Sequence, residues 1–218
     1  MNLEQARKIG MEVVEALAPV CDRIMIAGSV RRGKAQPKDI EIVYIAKTVK
    51  ERADLFSWSD VPATEAVIET LVYRRFWSFD KEVRRNGPLY KRMVRQDEEQ
   101  IVVELFRACP DNWGYILALR TGPGDFNKIW AAKPWDGGSL PTDVVLKDGF
   151  VWVNGRPVPT PTEEEFFDLI GLPCWPPGER SAMRLGKFLL DRQHRGGASA
   201  AEVKNDGYAR FAEVRSDD

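Results

Sequence analysis

Apolar positions follow two rhythms along this chain, and the alternation between them outlines an α+β protein. Ala6, Ile9, Val13, Val14 and Leu17 recur at helical spacing, which predicts a helix over residues 2–18 with Asn2 and Gln5 as its capping box. A short apolar run over 24–27 predicts a strand that ends at Gly28 and Ser29. Residues 39–45 alternate with a high β-branched content, as a half-buried strand does. A helix is expected over about 62–74, strands over 77–84 and 90–95 around the turn Asn86-Gly87-Pro88, and another strand over 101–106. After Cys109-Pro110 the pattern changes. Helical spacing over 112–120 stops at Thr121-Gly-Pro-Gly124, and 144–146 and 150–153 read as strands joined through the turns Asp148-Gly149 and Asn154-Gly155. Residues 162–170 read as a helix with Thr162 and Glu165 as its capping box and Gly171 beyond its end. The expected division is a larger unit over 1–110, a small unit over 111–185 and a tail over 186–218.

Composition narrows the chemistry more than it narrows the fold. No apolar run is long enough to cross a bilayer, so the cytoplasm is the expected location and no membrane partner is expected. The single histidine, His194, and three widely separated cysteines exclude the common zinc motifs. They also leave any nucleophile–histidine pair dependent on a residue near the C-terminus. Neither a G-x-x-x-x-G-K-[ST] loop nor a G-x-G-x-x-G fingerprint occurs. Carboxylates are left to carry acid, base or metal chemistry. The net charge of −1 is unlike that of a protein coating nucleic acid, but positive charge is clustered. Arg31, Arg32, Lys34 and Lys38, then Arg74 and Arg75, Arg84 and Arg85, and Lys91, Arg92 and Arg95 outline a phosphate-binding surface, with Lys91 and Arg92 as candidate DNA contacts.

Asp39 and Glu41 are two apart on an expected strand, so both side chains leave one face of the sheet. Two anions that close repel, and a divalent cation between them resolves the conflict. Hard oxygen ligands suit Mg²⁺. Glu104 interrupts the apolar strand 101–106, where an unpaired charge is costly, and is expected to point to the same place. Taken alone, Asp39-x-Glu41 also reads as an exposed strand face paired with Lys38 or with arginines. Gly28-Ser29 upstream alters that reading. A glycine there lets backbone amides approach a phosphate, the serine adds a donor, and an arginine can clamp phosphate oxygens.

The stretch Gly28-Ser-Val-Arg-Arg-Gly-Lys-Ala-Gln-Pro-Lys-Asp-Ile-Glu41 resembles the G-S-x-R-R-G…D-x-D signature of the DNA polymerase X family. Thr121-Gly-Pro-Gly-Asp-Phe-Asn127 resembles that family's T-G-S-x-x-F-N segment, and the helix over 162–172 followed by Pro177-Gly-Glu-Arg180 resembles its closing segment. The three motifs keep their order over about residues 15–185. The resemblance implies a nucleotidyltransferase palm, a mixed β-sheet with flanking helices, followed by a small α/β nucleotide-gripping domain in a minimal, monomeric polymerase. It implies transfer from dNTPs to the 3′-hydroxyl of primer-template or gapped DNA, in repair or gap filling. Two Mg²⁺ ions are implied, with Mn²⁺ as a substitute. Asp39 and Glu41 would bind both ions, and Glu104 would serve the one that activates the hydroxyl. Gly28, Ser29 and Arg32 would hold the triphosphate, Thr121, Gly122 and Asn127 the nucleotide, and Lys128 the DNA. A cis bond between Gly122 and Pro123 is also implied.

The chain departs from the pattern at several positions. Glutamates replace two of three aspartates, Leu119 and Arg120 replace an aromatic pair, Ala131 replaces a template-reading arginine and Val102 an arginine beside the third carboxylate. Two other readings stay open on sequence alone: a nucleotidyltransferase acting on RNA, protein or a small molecule, and a DNA-end-binding module impaired in catalysis.

Overall fold

The structure is a computed structural model that describes residues 1–52, 54, 57–73, 77–79, 86–96 and 100–195. The chain opens with α1 (Leu3–Leu17), whose first turn is closed by the Asn2 side chain accepting from the Gln5 amide at 2.9 Å. Ala6, Ile9, Val13 and Leu17 form its buried stripe. Next come β1 (Cys21–Ile26), the single turn α2 (Gly28–Arg31), β2 (Asp39–Ala46), the ribbon β3 (Thr48–Arg52) and β4 (Trp58–Pro62), and α3 (Thr64–Tyr73). The first unit closes with β5 (Trp77–Phe79), β6 (Tyr90–Arg95) and β7 (Val102–Arg107). Five of these strands form one mixed sheet in the order β1-β2-β7-β6-β5, in which only β2 and β7 run parallel.

Period-two alternation decides which side chains enter which layer. Ile40, Ile42 and Tyr44 of β2, with Val103 and Leu105 of β7, pack into the core beneath α1 and α3. Val43 and Ile45, with Phe106, take the opposite face, and there they meet Trp113 and Leu117. That second face also receives Asp39, Glu41 and Glu104, since each is an even number of residues from Val43 or Phe106.

The remaining elements are α4 (Trp113–Thr121), α5 (Gly124–Ala131), the meander β8 (Val144–Lys147), β9 (Phe150–Val153) and β10 (Arg156–Val158), α6 (Glu163–Leu169) and α7 (Ala182–Arg195). Their own core gathers Tyr115, Phe126, Trp130, Val151, Phe166 and Phe167. Helix α4 belongs to both halves: Trp113 and Leu117 face the large sheet, while Tyr115 and Ala118 face the second core. Gly114 makes this possible, because its amide donates to the Thr160 carbonyl oxygen at 2.7 Å and a Cβ there would collide with the Thr162 backbone.

The mixed α+β organisation expected from the sequence is present, and its elements differ from expectation in detail. The ribbon of β3 and β4, helix α5 and helix α7 carry no expected counterpart. The first strand begins three residues earlier than expected, at Cys21. The segment from 186 is not wholly a tail, because α7 continues to Arg195 and packs Leu185, Phe188 and Leu189 against the second core. The expected strand over 77–84 and the arginine pairs 74–75 and 84–85 lie partly or wholly outside the described residues. The three cysteines are free, and no helix among the described residues is long and apolar enough to cross a membrane.

Candidate active site

Backbone geometry brings the basic turn and the carboxylates together. The Ala27 amide donates to the Glu41 carbonyl oxygen at 2.7 Å, fixing the start of α2 beside β2. Gly28 has φ of +63°, and a Cβ on it would run into the Glu41 carboxylate, so both the conformation and the space call for glycine. The adjoining Ser29 Oγ is buried without a hydrogen-bond partner, an uncommon condition for a hydroxyl.

Glu41 stands opposite Glu104 in the parallel pairing of β2 with β7, and Asp39 lies one same-face position back along β2. The three carboxylates expected to act together therefore share one patch of sheet. As the side chains stand they do not enclose an ion: among the described residues, no three carboxylate, imidazole or thiolate groups converge as a metal cage. Their mutual repulsion is nonetheless evident. Burial, then Asp39 and Glu104, push the Glu41 carboxyl up to about 7, and burial together with Glu104 raises that of Asp39. Burial also lowers the Arg32 guanidinium, against the opposing pull of Glu41, Asp125 and Asp39.

The Glu41 shift has a measurable sign. In the metal-free fold Glu41 keeps its proton up to about pH 7, whereas an unfolded glutamate releases it near 4.5. The stability that neutral Glu41 contributes is present in full below the lower value and is lost as pH rises through the upper one. Denaturant unfolding of metal-free protein should thus show stability falling between these pH values by on the order of 3 kcal/mol relative to Glu41→Gln. Parallel pH profiles for the two proteins would contradict this.

Glu104 is held from β6. Arg92, directly opposite in register, donates to Glu104 Oε1 at 2.8 Å, and the Tyr90 hydroxyl donates to the same oxygen at 2.5 Å. Burial and the Glu104 hydrogen bond push the Tyr90 hydroxyl up to about 12, so it remains a donor throughout the physiological range. Arg92, one of the two candidate DNA contacts on this strand, thus has its guanidinium engaged with Glu104. Lys91, the other candidate, is buried and pairs with Glu65 at 2.9 Å.

Beyond the sheet, the arginines of α2 reach the second unit. Arg31 donates to Thr121 Oγ1 at 2.7 Å and to Glu163 Oε2 at 2.6 Å, while Arg180 donates to Glu163 Oε1 at 2.8 Å and to the Trp175 carbonyl oxygen at 2.9 Å. Burial works against ionisation of Glu163, but hydrogen bonds from Arg31 and Arg180 outweigh it and hold the carboxyl below the usual range. Arg32 donates to the Thr121 carbonyl oxygen. Thr121 is therefore a buried acceptor for both arginines. Gly122 follows with φ of +66° and a cis bond to Pro123. The Asn127 side chain is already committed within its own unit, donating to the Leu119 carbonyl oxygen at 2.7 Å and accepting from Trp130 Nε1 at 3.0 Å. Lys128 is exposed on α5. Arg120 lies 3.8 Å from the Phe106 ring centre, with its Nε buried and unpartnered.

The sequence left unmarked the roles of Tyr90 and Glu163 and the structural use of Arg31 and Arg180. Tyr90 and Arg92 alternate on one strand face, a usable signal, but the register that sets Arg92 against Glu104 pairs two strands whose alignment no local pattern fixes. No protein-family model matches the chain, and no curated protein matches it.

Proposed function

We propose that the chain is a nucleotidyltransferase of the DNA polymerase X type, adding nucleoside monophosphates from dNTPs to a DNA 3′-hydroxyl, with residues 1–110 as its palm. The observation that carries this reading is the meeting of Asp39, Glu41 and Glu104 on one sheet face beside a turn whose Ser29 hydroxyl is buried and unpartnered. The donor set fits Mg²⁺, which takes one or two carboxylates and keeps several waters, so an open cluster serves it better than a closed cage. Asp39, Glu41 and Glu104 would hold two such ions, for which Mn²⁺ can substitute. The ions would supply charge stabilisation to the attacking and leaving oxygens. Gly28, Ser29 and Arg32 grip the triphosphate: Ser29 has a free donor, and Arg32 exchanges the Thr121 carbonyl for a phosphate oxygen. The turn at Thr121 and Gly122 orients the nucleotide. Lys128 on α5, with the exposed Lys34 and Lys38, offers cations to DNA phosphates.

Primer extension on templated, gapped and single-stranded DNA, with Mg²⁺ or Mn²⁺, tests the proposal. Extension that requires the cation and releases pyrophosphate is expected. Transfer to RNA, protein or a small molecule with none to DNA would replace it with a non-polymerase nucleotidyltransferase. DNA-end binding without any transfer would leave only an impaired module.

A further inference from the structure

Glu104 is held differently from the other two carboxylates. Tyr90 and Arg92 leave β6 on one face, two residues apart, and both donate to a single atom, Glu104 Oε1. Among the described residues Oε2 accepts no hydrogen bond, while Glu104 acts electrostatically on both Asp39 and Glu41. The Tyr90 ring is itself braced, stacking on Phe106 with centroids 5.0 Å apart and planes 22° apart, and Arg120 lies against Phe106 in turn. A glutamate has one more rotatable bond than an aspartate, so its carboxylate has more orientations to lose when it is fixed.

We infer that Tyr90 and Arg92 are positioning residues that fix Glu104 through Oε1 and leave Oε2 as the oxygen through which Glu104 takes a divalent cation. This rests on the reading of the three carboxylates as a metal site. Neither residue touches the reacting atoms; each acts by removing orientations in which Glu104 would miss the ion. Outer hydrogen bonds of this kind are worth about 10–100-fold in metal affinity or activity. The bracing also explains why the clamp is built on an aromatic residue. A tyrosine stacked on Phe106 presents its hydroxyl from a fixed ring, whereas a serine or threonine on β6 would be too short to span the strand spacing and reach a glutamate head.

The experiment titrates the full chain with Mn²⁺ alone, counting bound ion by electron paramagnetic resonance, in wild type, Tyr90→Phe, Arg92→Lys and Glu104→Ala. Tyr90→Phe keeps the ring and its stack on Phe106 and removes only the hydroxyl. Its Mn²⁺ affinity should fall about 10-fold and kcat should fall with it, while KM for the dNTP stays within about twofold and the unfolding midpoint is unchanged. Arg92→Lys keeps the charge without the planar fork and should show a smaller loss in the same direction. Wild-type Mn²⁺ affinity in Tyr90→Phe, with an ion lost in Glu104→Ala, overturns the positioning role and leaves the metal site standing. Should Tyr90→Phe fail to fold, wild-type affinity in Arg92→Lys overturns it instead. A wild-type chain that binds no Mn²⁺, or a Glu104→Ala chain that binds it normally, overturns the metal reading and this inference together.

Discussion

Replacing Asp39 with alanine should lower nucleotide addition by about 10³-fold or more, equivalent to roughly 4 kcal/mol of transition-state stabilisation, without costing the fold. Asp39 is half-buried at the start of β2, where burial and Glu104 raise its carboxyl above the usual range. A group in that condition is held in place at a cost to the empty protein. Its removal relieves repulsion with Glu41 and Glu104, so the unfolding midpoint should stay level or rise. Activity and stability should move in opposite directions, which separates a ligand from a structural residue. Steady-state primer extension and denaturant unfolding on the same preparation provide both readouts. The Asp39→Ala and Glu41→Ala losses should also combine far less than additively, because on the proposed function each would remove the same ion-holding unit. Near-normal activity in Asp39→Ala would remove this residue from the site.

The opposite signature is expected at Glu163. Its carboxylate is the shared partner of Arg31 and Arg180, with side chains 6%, 19% and 1% exposed respectively. Glu163→Ala leaves two cations without their counter-ion, one of them fully enclosed, and stranding a buried charge costs about 3–5 kcal/mol. For a chain of this length the midpoint should drop by roughly 10 °C, measurable by calorimetry. Glu163→Gln keeps the shape and one acceptor and should fall in between. Replacing Glu163 and Arg180 together by apolar residues should recover much of the loss, since the penalty comes from the orphaned charge more than from the missing pair. A midpoint within about 2 °C of wild type in Glu163→Ala would mean that water reaches Arg180 at little cost.

Much of the sheet was legible because its information is local. Alternation along residues 39–45 fixed the face on which Asp39 and Glu41 sit, and the Asn2 and Thr162 caps located two helix starts. The ribbon of β3 and β4 was not, because Thr48–Arg52 is exposed throughout and carries no inward apolar face to set a period. Helix α5 was obscured by the glycine and proline that precede it, which read as a break when they in fact form its entry. Of the site, residue types and faces could be read, but pairings could not. Lys91 and Arg92 look alike in a row of positive charge. Only the register of β6 with β7 sets Arg92 against Glu104, and only the placement of α3 sets Lys91 beside Glu65.

On the proposed function, Arg32 would make the contact between the halves depend on whether a nucleotide is bound. Its guanidinium now donates to the Thr121 carbonyl oxygen, next to the carboxylates of β2. A triphosphate drawn to Ser29 would compete with that carbonyl for the same donor, so ligand and interdomain contact are thermodynamically rivals at this atom. Arg31 is bound to Glu163 and Thr121 Oγ1 but not to the rival carbonyl, so it would act as the axle that keeps the halves engaged if Arg32 changed partners.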